Sequence, residues 1–337
     1  MPGDASPARQ SRLRTALTIV VGVGLLVWFL FHAGLDELHD QFDKVGWLAP
    51  LVLLPYIVIS ICDAISWRHT LHPEERAKVP FHVLLFARMA GEAVNSVTPT
   101  ATVGGEPLKA HLLRPYGVST SDGLASIVVS KTALTIAQSL FTALGFAGLL
   151  LVMGRPGLAA FWLVVLLGVL GGFTYALVRA QQRNPVMAVW RWASRVFPRV
   201  QILQRIESGV RAIDERLQDF YQDERGAFVW ATAWNFVGWV FGVIEVQLMC
   251  TLIDSPIPWR EAFVIEAVAQ PIRAVAIVVP GGLGLQEWGG AEFCQYLGMP
   301  APVAATLWLL KRGRELVFDI VGLAYLATRS VRSGLRD

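Results

Sequence analysis

Charged residues inside apolar segments are costly to bury unless they are paired or used, so they are the first places to look for chemistry. Here they fall into three groups. Arg88 and Glu92 are spaced i,i+4, able to pair with each other. The apolar piece that holds them runs through Asn95 into "PTATVGGEPLKAHLL", which carries Pro99, Gly104, Gly105, Glu106 and Lys109. Glu266 and Arg273 share one helical face and precede "PGGLGLQEWGG", with Pro280, Gly281, Gly282, Gly284 and Glu287. Lys131 stands in one long apolar run, and Lys311, Arg312, Arg314, Glu315 and Asp319 crowd the middle of another.

The glycines permit turns with positive φ and let backbone N–H groups point at a ligand. A helix that starts after such a turn aims its partial positive end at whatever lies before it, which favours an anion. Lys109, three residues after Glu106, shares its face. Lys131 and Arg312 together have the chemistry to clamp a phosphate from two sides. The plainer reading, internal salt bridges that fix helix packing, stands beside it for Lys131, Arg312, Glu315 and Asp319. Asp63 and Glu245 read as single carboxylates without an obvious partner, more simply satisfied by polar contacts than used as a proton or ion relay.

Enzyme and metal signatures are thin. There is no HExxH, no paired CxxC, no P-loop and no GxSxG. His69 and His72 have no further ligand nearby, and Cys62, Cys250 and Cys294 share no metal-like spacing. Ser130 and Lys131 are adjacent, so on a helix they do not face each other as a dyad. The expectation is no catalytic residue, no metal and no cofactor.

What must hold these groups is a bundle of membrane helices. The 337 residues are 54% hydrophobic, which argues against a soluble globular chain. Apolar windows of roughly 20 residues match a hydrocarbon core of ~30 Å. They fall at Thr15–Ala33, Gly46–Trp67, within Ala125–Met153, at Gly157–Leu177 and at Ala227–Leu252, with the charged Val303–Ala327 as a sixth. The run at 15–33 is long and lacks a small-residue cleavage site, so it reads as a retained span. The fold expected is all-α and polytopic, with about six spans.

Lys and Arg collect in cytoplasmic loops. The N-terminus (1–14), the loop Arg68–Lys78, the segment 180–226 and the tail 328–337 are basic, whereas His32–Gly46 is acidic, so both termini face the cytoplasm. Phe81–Val97 is too short and polar to cross, and Lys109, His111 and Arg114 after it also belong inside. Residues 81–115 therefore read as a re-entrant hairpin. "VMAVWRWASRVFPRVQILQRI", within 180–226, mixes Trp, Val and Ile with arginines, as an amphipathic helix on anionic inner-leaflet lipid would. Nucleic-acid binding is the less economical explanation of residues tied so closely to spans.

Sliding the sequence by 181 residues pairs Pro99 with Pro280, Glu106 with Glu287, Ala110 with Ala291, Gly117 with Gly298, and Lys131 with Arg312, without a gap. Two units follow, 46–153 and 227–327, each a span, a hairpin (81–115 and 261–296) and a span, separated by a span at 157–179. Orientation makes the first hairpin open to the cytoplasm and the second to the outside. An inverted repeat with a Gly/Pro-broken segment in each half is the sequence pointer to a transporter site near the midplane.

"GEAVNSVTPTATVGGEPLKAHLL" followed by "VVPGGLGLQEWGG" resembles the flippase-like (UPF0104-like) integral membrane family. That family includes the transmembrane region of bacterial lysylphosphatidylglycerol synthases and the hopanoid-associated HpnL-type proteins. The resemblance covers roughly residues 15–330 and implies a bacterial inner-membrane protein that moves an anionic or amphiphilic lipid between leaflets. By motif position it carries over Asn95, Pro99, Gly105, Glu106 and Lys109, and Pro280, Gly281, Gly282, Gly284 and Glu287. Many members have arginine where this chain has Lys109. No soluble aminoacyl-transferring domain follows the last span, so lysyl transfer is not expected. Two alternatives remain: an intramembrane lipid-headgroup enzyme with Glu106 and Glu287 as acid–base groups, and a non-transporting assembly factor whose basic 180–226 segment docks envelope-biosynthesis proteins.

Overall fold

A computed structural model describes residues 35–98, 104–181, 185–196, 207–276 and 282–334. The first expected span, 15–33, lies outside the described residues, as do Pro99, Pro280 and Gly281. The described residues are helical, without a strand among them. In chain order, α1 is Leu35–Val45 and leads through a 3-10 turn into α2, Leu53–Thr70. The short α3, Pro73–Lys78, precedes α4, Phe81–Val97, and α5, Gly105–Leu113. Two long helices follow, α6 (Thr120–Val152) and α7 (Pro156–Gln181), then α8 (Pro185–Val196) and α9 (Glu207–Asp223). The last four are α10 (Arg225–Leu252), α11 (Trp259–Ala276), α12 (Leu285–Tyr296) and α13 (Ala301–Gly334).

Four stretches among the described residues are long and apolar enough to cross a membrane: Leu38–Thr70, Thr120–Val152, Pro156–Ala176 and Arg225–Leu252. The chain is an all-α polytopic membrane protein. The expected sixth span is the 34-residue α13, whose mid-helix charges separate it from those four. At ~1.5 Å per residue α4 is about 26 Å long and α5 about 14 Å, and α11 and α12 form a comparable pair.

The 181-residue offset also relates helix bounds. α6 begins at Thr120 and α13 at Ala301, 181 residues on. Gly117 and Gly298, three residues before those starts, both have positive φ (82° and 94°), a conformation that side chains other than glycine's disfavour. Each closes the preceding helical turn with a hydrogen bond, Gly117 N–H to Arg114 O at 3.0 Å and Gly298 N–H to Gln295 O at 2.8 Å. Ser119 then caps α6 by accepting from Asp122 N–H at 3.0 Å.

By compactness the chain divides into two units: Met1–Tyr56, Met89–Gly105 and Gly242–Asp337 form one, Ile57–Arg88 and Glu106–Phe241 the other. In the first unit, α13 passes α4 so closely that a Cβ on Gly322 would strike the Met89 carbonyl. A Cβ on Gly290 would fall on the indole of buried Trp308. Such small-residue crossings suit helix packing in lipid, where van der Waals fit replaces the hydrophobic drive. In the second unit, Trp67 Nε1–H donates to Ser126 Oγ at 3.1 Å and Thr70 Oγ1–H to the Ser126 carbonyl at 2.9 Å, tying α2 to α6. Leu217, Phe220 and Tyr221 of α9 close a core with Ala125, Val129 and Ala227.

Candidate functional site

Each unit holds a group of buried charges, and the breaks of both interrupted helix pairs, α4–α5 and α11–α12, lie in the first. In the second unit, Glu106 lies in the first turn of α5, where a carboxylate meets the positive end of the helix dipole. It takes Lys109 Nζ at 3.2 Å and, from α6, Lys131 Nζ at 3.1 Å. Lys109 is buried, whereas the Lys131 side chain is 39% exposed. Arg88 bonds Asp63 and approaches Ser60 Oγ at 3.5 Å. Asp63 is thus satisfied, as expected, and its partner comes from another helix, which spacing along α2 does not reveal.

In the first unit, Asn95 Oδ1 accepts the Gly105 backbone N–H at 2.7 Å, joining the end of α4 to the start of α5. A Cβ on Gly105 would run into the carbonyl of Gly91, so only glycine permits this approach. Glu92 lies on the same helix, with its carbonyl accepting from Ser96 Oγ at 3.1 Å. Gly104 sits at the turn into α5.

The rest of that unit's charge is arranged around α13. Lys311, with no exposure, reaches Glu245 Oε2 at 3.1 Å and Glu266 Oε2 at 2.6 Å. Arg314 approaches Glu245 at 2.8 Å and stacks over the Tyr56 ring at 3.9 Å. Arg312 bonds Glu287 of α12 and lies 2.9 Å from Glu315. Arg273 stands 3.9 Å from Glu315, which also accepts from Gln286 at 3.4 Å. Four cations (Arg273, Lys311, Arg312, Arg314) therefore face four carboxylates (Glu245, Glu266, Glu287, Glu315). This pairing is what lets Lys311 and Arg314 be buried in that helix. Glu245, the other carboxylate whose partner the sequence left unnamed, is doubly paired.

Gly282 and Gly284 precede α12 with φ of 65° and 75°. They turn the chain so that α12 begins one residue before Gln286 and places Glu287 in its first turn. The paired positions of the repeat thus behave alike within their own units. Glu106 meets Lys131, and Glu287 meets Arg312. Of the two cations expected to clamp a phosphate, Lys131 faces Glu106 and Arg312 faces Glu287, each in its own unit. The first unit retains spare capacity. Arg312 Nη2, Arg273 Nε and Nη2, and Glu287 Oε2 are buried without a hydrogen-bond partner among the described residues.

Sequence reasoning missed a cavity of about 160 Å³ in the second unit, lined among others by Glu75, Asp122, Arg216, Asp219 and Asp223. Arg216 Nε lies 2.6 Å from Asp122 Oδ1. Burial, then the charge and hydrogen bonding of Asp122, push the Glu75 carboxyl up to about 7 against the pull of Arg216. These residues belong to separate helices with no shared motif, so only the fold brings them together.

An all-helical membrane bundle with a charge-balanced interior and two interrupted helix pairs defines the class. Within it, the chain belongs to the family described as the lysylphosphatidylglycerol synthase TM region, matched over residues 15–322. It is also similar to a UPF0104 membrane protein of Methanothermobacter thermautotrophicus. The two are 25% identical over 307 residues, 88% of this chain and 90% of that one. No solved structure matches the chain.

Proposed function

We propose that this protein moves an anionic or amphiphilic lipid, phospholipid- or hopanoid-like, between membrane leaflets, with the two interrupted helix pairs as its gates. One observation carries the reading: the acid–cation pair recurs at the same offset, Glu106 with Lys131 and Glu287 with Arg312, each acid in the first turn of the helix that follows a break. A headgroup bearing a phosphate competes with the carboxylate for the cation, and a headgroup bearing an ammonium competes for the carboxylate. Non-helical backbone at membrane depth is tolerated where it lines a cavity, which suits a headgroup path. The spare donors of Arg273 and Arg312 and the spare oxygen of Glu287 add binding capacity. The family description, which names a lipid synthase's membrane region, fits a lipid as cargo.

In this reading α4–α5 and α11–α12 re-enter from opposite faces. The same reading takes the membrane to be the inner one with both termini in the cytoplasm, an orientation that the basic segments support. No covalent step is assigned to it, and no cofactor.

The test is lipid movement in proteoliposomes, read as protection of a headgroup-labelled lipid from an impermeant quencher. Breaking one buried pair by one substitution risks misfolding, so the informative variants are the double neutralisations Glu106→Gln with Lys131→Gln, and Glu287→Gln with Arg312→Gln. The expected result is folded protein with lost lipid movement for both doubles. Full lipid movement by either folded double variant refutes the role of that pair.

A further inference from the structure

Helix α8 presents a surface that lipid translocation does not use. Its location follows from chain reach. α7 is the span least covered by protein, with 6% of its most apolar window buried and Phe161, Val164, Val169 and Tyr175 exposed. Tyr175 and Arg179 lie at its end, residue types that settle at headgroup level. From Arg179 to Pro185 the chain extends at most ~20 Å, so α8 starts close to the headgroup layer where α7 emerges.

The rest of the second unit then fixes which way α8 faces. Asp214 of α9 accepts the first free N–H groups of α8, Val186 N at 3.0 Å and Met187 N at 2.7 Å, acting as a cap from another helix. Val186 packs against the core formed by Ala125, Val129, Leu217, Phe220 and Tyr221. With that side docked, Val189, Trp192 and Val196 form an outward stripe at i, i+3 and i+7, exposed by 64%, 62% and 49%. Arg191 and Arg195, both exposed and spaced i,i+4, flank it.

We propose that α8 is an interfacial helix that seats Val189, Trp192 and Val196 in the headgroup–acyl boundary of an anionic phospholipid leaflet, with Arg191 and Arg195 on the lipid phosphates. Two features select lipid over a protein partner. The stripe follows a lipid-exposed span within a few residues, and the charge flanking it is of one sign, complementary to anionic lipid. The inference stands whether or not the chain translocates lipid.

The test uses the full chain in nanodiscs of phosphatidylcholine alone or with phosphatidylglycerol. Spin labels are placed at Val189→Cys, Val196→Cys and Arg191→Cys, and the buried Cys62, Cys250 and Cys294 are replaced by alanine. Labels at 189 and 196 are expected to be accessible to oxygen and shielded from a water-soluble nickel complex, with the label at 191 open to nickel. Adding phosphatidylglycerol should deepen the shielding. Arg191→Glu with Arg195→Glu should abolish that gain, at roughly five-fold per arginine in the seated population. Nickel access at 189 and 196 in both lipids overturns the proposal. So does shielding from both oxygen and nickel, which marks a protein contact or a second copy. Identical shielding in the two lipids overturns the anionic requirement.

Discussion

Replacing Lys311 with methionine should destabilise the protein through one identifiable carboxylate. Lys311 has no exposure and neutralises both Glu245 and Glu266, at 3.1 and 2.6 Å. When it is removed, Glu245 keeps Arg314 at 2.8 Å. Glu266 is left with the Gln270 amide, at 3.2 Å, as its remaining hydrogen-bond donor among the described residues. Methionine fills nearly the volume of lysine, so the packing loss is small. Leaving a buried charge without its partner costs about 3–5 kcal/mol, more than a hundred-fold in the folding equilibrium. Adding Glu266→Gln removes the stranded charge while keeping the reach to Gln270, and the double variant should recover all but about 1–2 kcal/mol. The coupling energy of the cycle is then about 2–3 kcal/mol plus whatever Glu266→Gln costs by itself. Reversible unfolding in mixed micelles with rising dodecyl sulfate, followed by tryptophan fluorescence, measures all four proteins. If the two losses simply add, the balanced four-by-four arrangement around α13 is not what holds that helix in place.

The remaining expectations concern single positions. Gly290→Ala places a methyl on the Trp308 indole and should cost about 1–3 kcal/mol in the same unfolding assay, relieved by Trp308→Leu. Gly105→Ala meets backbone at Gly91, so no side-chain substitution should relieve it, and its loss should persist in any double variant. Asp214→Ala removes the acceptor for Val186 and Met187 and should weaken α8 by about 1 kcal/mol. Faster amide exchange at 186–190, with exchange in α13 unchanged, would show it. Glu75 binds its proton more tightly in the folded protein, about 7 against a usual 4.5, so its contribution favours folding at low pH. That contribution falls as pH rises from 4.5 to 7 and is flat above. Glu75→Gln should remove this slope from the unfolding midpoint measured between pH 5 and 8, and an unchanged slope would refute the assignment.

Hydropathy located the long helices because a span must satisfy its backbone internally and face lipid, and both demands are written locally. Four of the windows read from sequence fall within stretches that the structure also finds apolar and long enough to cross. The breaks after Val97 and before Leu285 were legible for the same kind of reason, since proline and glycine change what the backbone can do at one position. Charge partners were not legible. Spacing set Arg88 beside Glu92 but did not reveal Asp63, which the fold brings to it, and Glu245 draws Lys311 and Arg314 from a helix some 66 residues on. Spacing along one helix reports neighbours on that helix, whereas a buried charge is satisfied by whatever the tertiary fold brings to it. The cavity around Glu75 and Asp122 escaped for that reason, and so did the cap that Asp214 places on α8.

Glu106–Lys131 and Glu287–Arg312 are tertiary pairs too: the offset marked the two acids and the two cations as equivalent positions, and the fold joins each acid to the cation of its own unit. Their environments differ: the Lys131 side chain is 39% exposed, while Arg312 and Glu287 are at 11% and 1%. An open pair is screened and exchanges partners at little cost, whereas a closed one is held by its full electrostatic strength. Under the proposed function, a headgroup would displace the carboxylate from Lys131 more readily than from Arg312. Glu106→Gln should therefore change apparent lipid affinity modestly, and Glu287→Gln should change it strongly. Equal effects of the two substitutions would show that exposure does not set the ease with which each pair opens.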